Sequence, residues 1–302
     1  MSDTPTRLAE NMRRLAGLVD ENLRALCSHC PSDVPPRLWD SVTYSLLAGG
    51  KRLRPVLCLA AAEMLSVPPA RVMPMALALE MIHTASLIHD DLPAMDDDTL
   101  RRGKPTNHVL FGESLAILAG DGLLVWGFSH PLKELVRLGN DPSDVIDALR
   151  VFADAAGIAG ICGGQVLDTD PESRSTEVDF VRRIAGQKTA VLIQASVLSG
   201  AILAHGDPEI RSAIGEYGMH LGIAFQVVDD ILDVTSSAEE LGKTPGKDAE
   251  QGKRTFVASY GLEGAKKIAQ SESDKAIEAL SRCGDDICFL KDLAAHLTHR
   301  HH

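Results

Sequence analysis

Two aspartate-rich segments carry the clearest chemical signal in the sequence. The first covers residues 90–98 and opens with Asp90 and Asp91, and the second covers residues 229–233. On a helix, aspartates three and four residues apart project to the same side, so we expect Asp229, Asp230 and Asp233 to face one way and repel each other. Both segments also follow apolar helical runs, near predicted helix C-termini, where the helix dipole disfavours anions. A bound cation would remove both penalties.

Hard divalent cations are the natural partners of such carboxylates. Mg²⁺ binds carboxylate oxygens and often bridges to phosphate groups, and Mn²⁺ could replace it. A solvated acidic surface is the alternative. The strongly apolar runs before each segment and the basic residues after each one weigh against that alternative. We therefore predict a magnesium site built from both segments.

Basic residues supply a second half to this chemistry. Residues 49–55 place Lys51 and Arg54 three positions apart, and Arg101 and Arg102 directly follow the first aspartate segment. Three lysines, Lys188, Lys243 and Lys253, lie around the second segment. In a chain with a formal net charge of −12, these are local cationic spots suited to diphosphate groups.

Two other metal sites have weaker support. Glu80 and His83 match half of a di-iron carboxylate site, but the sequence has no second Glu-x-x-His, and a core histidine is the default interpretation of His83. Four cysteines, Cys27, Cys30, Cys283 and Cys288, could hold zinc. The spacing of the last two is too wide for a zinc knuckle, so we expect reduced thiols.

The elements that must position these residues read as helices. We predict them at about 6–29, 36–48, 52–65, 70–92, 113–138, 143–157, 176–204, 208–236, 263–281 and 285–298. Glycine pairs or Gly-Asn at 49–50, 139–140 and 163–164 predict helix ends or breaks. The chain of 302 residues shows no alternating strand pattern and only 3 Tyr and 2 Trp, which favours an all-α fold without a linker.

Composition excludes several partners. The excess of 42 acidic over 30 basic residues argues against nucleic-acid binding and against recruitment to anionic lipid. The first 20 residues contain no secretory-type apolar core, and the longest uncharged run includes polar residues. We therefore expect a cytoplasmic protein without stable membrane insertion.

These motifs together resemble the short-chain trans-isoprenyl diphosphate synthases, over residues 39–264. The resemblance rests on Asp90-Asp91-x4-Asp96, on Asp229-Asp230-x2-Asp233 and on the Gly-Gly-Lys-Arg-Leu-Arg-Pro stretch. Further matches are residues 100–106, 119–121, 163–165 with Asp168, 187–190 and 225–226. The resemblance implies one all-α domain over residues 1–302, a helical bundle around a deep central cavity, and a homodimer. Residues 299–302 are set apart as a tail without function.

The resemblance also implies an activity and its residues. Such enzymes condense isopentenyl diphosphate with dimethylallyl, geranyl or farnesyl diphosphate by ionisation, condensation and elimination, using several Mg²⁺ ions. Metal ligands would be Asp90, Asp91, Asp96, Asp229 and Asp233, with Asp230 assisting. The allylic diphosphate would be held by Arg101, Lys188, Thr189, Lys243, Gln165 and Gln226, with Lys253 after a loop. Isopentenyl diphosphate would be held by Lys51, Arg54, His83 and Arg102.

Product length depends on Ala85 and Ser86, one helical turn before Asp90. Farnesyl-producing relatives usually carry a bulky aromatic at one of these positions, and both are small here. The resemblance therefore favours geranylgeranyl diphosphate, with farnesyl diphosphate as the alternative. A class I terpene cyclase, a non-catalytic synthase subunit and a Mg²⁺-dependent phosphohydrolase are the rival classes. The all-Asp second motif and the basic segment at 49–55 disfavour the cyclase, and two intact motifs disfavour the subunit. A phosphohydrolase would need a positioned water and base, which nothing in the spacing supplies.

Overall fold

The computed structural model describes residues 4–170, 172, 179–235, 254–284 and 287–297. Within these ranges the chain is helical apart from loops and one very short hairpin, which confirms the all-α prediction. Lys243, Lys253 and the tail 299–302 lie outside the described residues.

The first half contains six α-helices and the hairpin. They are α1 (Thr4–Leu26), α2 (Pro36–Leu46), α3 (Leu53–Met64), α4 (Pro69–Asp90), β1 (Leu100–Arg101), β2 (Lys104–Pro105), α5 (Asn107–Phe111) and α6 (Glu113–Arg137). The second half comprises α7 (Pro142–Ala156), α8 (Ile161–Thr169), α9 (Phe180–Ala185), a π-helix (Gly186–Ala190), α10 (Val191–Leu203), α11 (Pro208–Thr235), α12 (Phe256–Ala279), a 3₁₀ turn (Leu280–Arg282) and α13 (Cys288–Leu297).

Local sequence signals set the starts of several helices. Asp141 caps α7 by accepting a hydrogen bond from the Ser143 backbone N–H at 2.8 Å, and Pro142 occupies the first helical position. Asp207 accepts from the Ile210 N–H at 2.9 Å at the start of α11. These helices therefore begin where the sequence predicted them.

Several features differ from the sequence-based expectation. The helix predicted at 176–204 is described only from Phe180, and a π-helix divides it. The helix predicted at 263–281 agrees with the part of α12 that follows a kink at Gly261 (φ 68°), but α12 also has a helical segment before that kink, from Phe256, which was not predicted. Neither α5 nor the hairpin was predicted, since both are too short to show a period, and α8 was not predicted because its glycine pair was interpreted as a break.

The glycine pair at 163–164, predicted as a break, lies inside α8. A Cβ on Gly164 would lie 2.3 Å from the backbone nitrogen of Lys188. Glycine at this position therefore serves the close approach of α8 to the π-helix. The same residue type ends one helix and lets another pack closely, and only the tertiary contact distinguishes the two cases.

Helix α10 forms the centre of the core. It is apolar on all sides and almost fully buried, as expected for a helix surrounded by others. It packs against α3, α7 and α11, while α4 packs against α3 and α6, and α11 packs against α12. The two aspartate segments therefore lie on different helices, the first at the end of α4 and the second near the end of α11.

Among the described helices, α4 and α6 are long and apolar enough to cross a bilayer by length and composition alone. Helix α4 is mostly buried in the protein, which is the usual reason for such a composition. Helix α6 is not, because it exposes Leu118, Val125 and Leu132 at seven-residue spacing. These residues form an apolar stripe along one face of α6.

Candidate active site

Asp90 is the last residue of α4 and is partly buried. Burial raises the pKa of its carboxyl to about 6, the charges of Asp96 and Asp91 add to the rise, and the cations Lys188 and Arg101 oppose it. The charged form of the Asp90 carboxyl is therefore disfavoured unless a further cation binds beside it. This is the environment that the sequence predicted for the first segment.

Asp91 is paired within the protein. Its side chain is only 5% exposed, and Arg101 binds it through Nε at 2.7 Å and Nη2 at 2.6 Å. Burial raises the pKa of the Asp91 carboxyl, and the Arg101 guanidinium opposes that rise. In this structure Asp91 orients Arg101, and its assignment as a metal ligand stays a prediction.

The hairpin sends two consecutive arginines to different places. Leu100 pairs with Pro105 and Arg101 with Lys104, across a turn in which Arg102 (φ 54°) and Gly103 (φ 72°) are left-handed. Arg101 turns towards Asp91. Arg102 donates to the carbonyl of Gly49 and lies over Gly50, where a Cβ would come within 2.6 Å of its guanidinium carbon.

The π-helix places Lys188 close to the first aspartate segment. Lys188 Nζ donates to Asp168 Oδ2 at 2.5 Å and lies near enough to Asp90 to lower the pKa of that carboxyl. Such a bulge in the helical ladder is frequent at functional sites. Gln165 lies on α8, three residues before Asp168. Its side-chain nitrogen is buried and has no hydrogen-bond partner, so it can donate to a ligand.

A chain of hydrogen bonds joins the π-helix to the second aspartate segment. Thr189 Oγ1 donates to Gln226 Oε1 at 2.7 Å, and Gln226 Nε2 donates to Asp230 Oδ1 at 2.9 Å. The backbone N–H of Phe256, at the start of α12, donates to Asp230 Oδ2 at 2.7 Å. Gln226 and Thr189, predicted to bind substrate, here position the second segment.

The three aspartates of the second segment do not share one environment. Asp229 is exposed, whereas Asp230 and Asp233 are buried. The expectation that all three face one way is therefore wrong for Asp230, which turns to α12 because a backbone N–H and an amide satisfy it there. Asp229 remains the residue of this segment that is open to a ligand.

The residues predicted for isopentenyl diphosphate surround a different centre. Burial lowers the pKa of Arg54 to about 10, and burial with four neighbouring arginines holds the pKa of His83 well below its usual value. His83 is therefore neutral near pH 7. Lys51 is exposed, and Arg102 reaches the same region from the hairpin.

Sequence reasoning missed two residues in this region. Arg52 is buried, and its guanidinium donates to Asp20 at 2.9 Å, to Glu80 at 2.5 Å and to the carbonyl of Leu46 at 3.0 Å. Glu80 had been noted only as half of a di-iron pattern. Its bond to Arg52 explains it as a buried ion pair. The signal available in the sequence was a lone carboxylate within the apolar residues 72–82.

The two positions predicted to set product length differ in exposure. Ala85 has no accessible surface, whereas Ser86 is partly exposed and donates its hydroxyl to the carbonyl of His83 at 2.9 Å. Ser86 is thus the better placed of the two to touch a prenyl chain, and the deep central cavity itself stays a prediction.

The carboxylates fit a magnesium ion that arrives with its substrate. Among the described side chains, no three His, Cys, Asp or Glu residues gather into a ready-made metal site. Mg²⁺ commonly uses one or two carboxylates together with phosphate oxygens and water. Asp90, Asp96 and Asp229 offer such carboxylates, and the raised pKa of Asp90 marks a carboxylate that lacks compensation.

The side chains form two groups, and each group suits a diphosphate bound in a different way. One group combines carboxylates with Arg101 and Lys188, and it suits a diphosphate bridged by metal. The other combines Arg54, His83 and Arg102 and has a single buried carboxylate, that of Glu80, so it suits a diphosphate bound without metal.

Known proteins are similar to this chain in sequence and in fold. The family model described as polyprenyl synthetase matches residues 35–290. A geranylgeranyl diphosphate synthase of Cyanophora paradoxa is 43% identical over 252 residues, which cover 83% of each chain. A dimethylallyltranstransferase of Fischerella ambigua is 39% identical over 308 residues, covering 100% of this chain and 88% of that one. The geranylgeranyl pyrophosphate synthetase structure from Pyrococcus horikoshii superposes with a TM-score of 0.86 at 30% identity, covering 98% of this chain and 99% of that one.

Proposed function

The chain belongs to the polyprenyl synthetase family, and on that premise we propose that it condenses isopentenyl diphosphate with allylic diphosphates to make geranylgeranyl diphosphate. Dimethylallyl, geranyl and farnesyl diphosphate would serve as successive allylic substrates. The enzyme is a prenyltransferase that adds five-carbon units head to tail.

The observation that carries the proposal is the divergence of Arg101 and Arg102. Adjacent residues of one hairpin reach an aspartate-rich site and a site formed mainly by cations. A condensation between two diphosphates, only one of which must lose its diphosphate, needs such a pair of unequal sites. A hydrolase or a cyclase acts on one diphosphate and leaves the second site without a role.

The residues of this chain divide the work accordingly. Arg101 and Lys188 neutralise charge on the allylic diphosphate as its bond to carbon breaks. Arg54, Arg102 and neutral His83 hold isopentenyl diphosphate so that its double bond faces the allylic carbon. The departing diphosphate accepts the final proton, so no side chain is required as general base.

Magnesium, held by Asp90, Asp96 and Asp229, would neutralise the negative charge on the leaving diphosphate. The predicted cavity before Asp90 would keep water from the reacting carbons and so protect an allylic cation from capture. Small residues before Asp90, and relatives named for geranylgeranyl products, support the C20 product over the C15 alternative.

A product assay tests this proposal. The protein is incubated with Mg²⁺, isopentenyl diphosphate and one allylic starter, and products are identified by mass spectrometry, with EDTA as control. We expect a metal-dependent C20 product from dimethylallyl, geranyl and farnesyl diphosphate. Products that stop at C15 would contradict the assigned length, and absence of condensation with every starter would contradict the activity.

We also propose that the protein is a homodimer that buries the apolar stripe of α6. The stripe of Leu118, Val125 and Leu132 is exposed on the single chain, and an exposed row of large apolar residues favours a partner surface. Light scattering should give twice the mass of one chain for the wild type and the mass of a single chain for Val125→Glu. A monomeric wild type that binds uncharged vesicles would indicate a membrane-facing stripe instead.

A further inference from the structure

Glu80 lies in the middle of α4 with 2% of its surface exposed. Its Oε1 accepts from Arg52 Nη1 at 2.5 Å, while Oε2 is buried and has no hydrogen-bond partner. A buried carboxylate with an unsatisfied oxygen is costly, so its retention calls for a compensating role. The nearby cations indicate what that role is.

Arg52 is fully engaged within the protein. Its guanidinium donates to a carboxylate of α1, a carboxylate of α4 and the last carbonyl of α2, and its backbone is left-handed at φ 49°. Each of its three guanidinium nitrogens therefore donates to the protein, and its side chain is only 1% exposed. What it does is fix the short segment that carries Lys51 on one side and Arg54 on the other.

Arg54 and Arg102 are held near Glu80 by charge. The Glu80 carboxylate raises the pKa of both guanidiniums against the burial that lowers them, and the charge of Arg102 further lowers the pKa of Arg54. Arg54 Nε is buried without a partner. Three mutually repelling guanidiniums, those of Arg52, Arg54 and Arg102, thus share Glu80 as a common counter-ion.

We infer that Glu80 is the positioning residue of the metal-free diphosphate site, holding Arg52 by a direct bond and Arg54 and Arg102 by its charge so that they converge before substrate binds. This rests on the proposed function, which assigns isopentenyl diphosphate to that site. Glu80 acts through the arginines and does not touch the reacting atoms. The aspartate-rich site, which has its own carboxylates, does not depend on it.

The test compares Glu80→Gln with Asp20→Asn. Both variants remove one carboxylate from Arg52, but Asp20 is 30% exposed and does not act on Arg54 or Arg102 in the same way. Binding of isopentenyl diphosphate is measured by calorimetry in EDTA, where only the metal-free site can act. We expect about a tenfold weaker Kd for Glu80→Gln, and less than about a twofold change for Asp20→Asn.

Steady-state kinetics separates positioning from general damage. Glu80→Gln should raise the KM for isopentenyl diphosphate and leave the KM for farnesyl diphosphate within about twofold. Equal changes in both values, or an unchanged Kd in a folded variant, would overturn the inference. If Glu80→Gln does not fold, the double variant Arg52→Met with Glu80→Met removes the buried pair, and wild-type Kd in that variant would overturn it too.

The two proposals fail in distinguishable ways. A wild type that condenses no starter refutes the proposed function, whatever Glu80→Gln does. A wild type that makes product while Glu80→Gln binds isopentenyl diphosphate normally in EDTA refutes the role of Glu80 alone.

Discussion

The two aspartate segments open with the same Asp-Asp pair but are supported in different ways. In the first, Asp91 is neutralised by Arg101, a cation carried on the hairpin. In the second, Asp230 is held by two neutral donors, the amide of Gln226 and the backbone N–H of Phe256. Arg101 also brings positive charge towards a substrate, whereas the donors to Asp230 fix how α11 packs against α12. In each pair, the second aspartate anchors the segment and leaves the first one for a ligand.

The largest expected effect comes from the first aspartate of each pair. Asp90→Asn should lower kcat about 10³-fold and Asp229→Asn about 10²-fold, because the partly buried Asp90 interacts with cations in a lower effective dielectric than the exposed Asp229. Product formation at saturating Mg²⁺ measures both. Asp97→Asn is the matched control, since Asp97 is exposed and left-handed (φ 49°), a conformation that Asn tolerates. Equal losses would show that burial does not distinguish the segments.

Removing the residue that anchors each segment should destabilise the protein by different amounts. Arg101→Met leaves the Asp91 charge buried and unpaired, and should lower the free energy of unfolding by about 3–5 kcal/mol. Gln226→Met removes the neutral bond from Thr189 and one neutral donor of the Asp230 carboxylate, which keeps the Phe256 N–H, and should cost about 2–3 kcal/mol. Urea denaturation measures both. A larger loss in Gln226→Met would reverse the assigned division between electrostatic and geometric support.

Acid should weaken the packing of the helix that supports the second segment. Helix α12, which anchors Asp230, is tied to its neighbours by buried Glu272, which accepts from Arg182 at 2.9 Å and from His220 at 2.7 Å. Burial alone would raise the pKa of Glu272, but hydrogen bonds from His220, Arg182 and Lys275, with the charge of Arg182, hold it far below its usual value of 4.5. Because the folded-state pKa is depressed, this stabilisation is present above pH 4.5 and is lost as the pH falls below it.

Glu272→Gln tests that dependence. The stability of the wild type should fall with acid below about pH 4.5, and the variant should show a shallower fall over the same range. Equilibrium unfolding at several pH values measures it. Parallel curves for the two proteins would contradict a role for Glu272 in acid unfolding.

The smallest effect on stability is expected one turn before each segment. That position holds Ser86 on α4 and the bulky Phe225 on α11. Ser86→Tyr should shorten the main product from C20 to C15, since a ring fills about the space of one prenyl unit. Ala85→Tyr should instead destabilise the protein by about 1–3 kcal/mol, because Ala85 is fully buried. An unchanged product in Ser86→Tyr would mean that the floor of the pocket lies elsewhere.

Much of the fold was predictable because helix signals are local. The period of α4 and α11, the capping Asp141 and the proline after it lie within one or two turns of what they specify. The π-helix was not predictable, because its sequence continues an ordinary helical pattern into α10. The glycines of α8 were misjudged because close packing against Lys188 depends on residues outside that helix.

The sequence by itself determined the helical class, the two carboxylate segments at helix C-termini and the presence of cations for diphosphate. The tertiary structure decided which cation serves which site. It sends Arg101 to Asp91 and Arg102 to Gly49, and it buries Arg52 against Glu80. The physical reason is that periodicity and capping act over a few residues, whereas the pairing of charges depends on which helices pack together and on the dielectric that their packing creates.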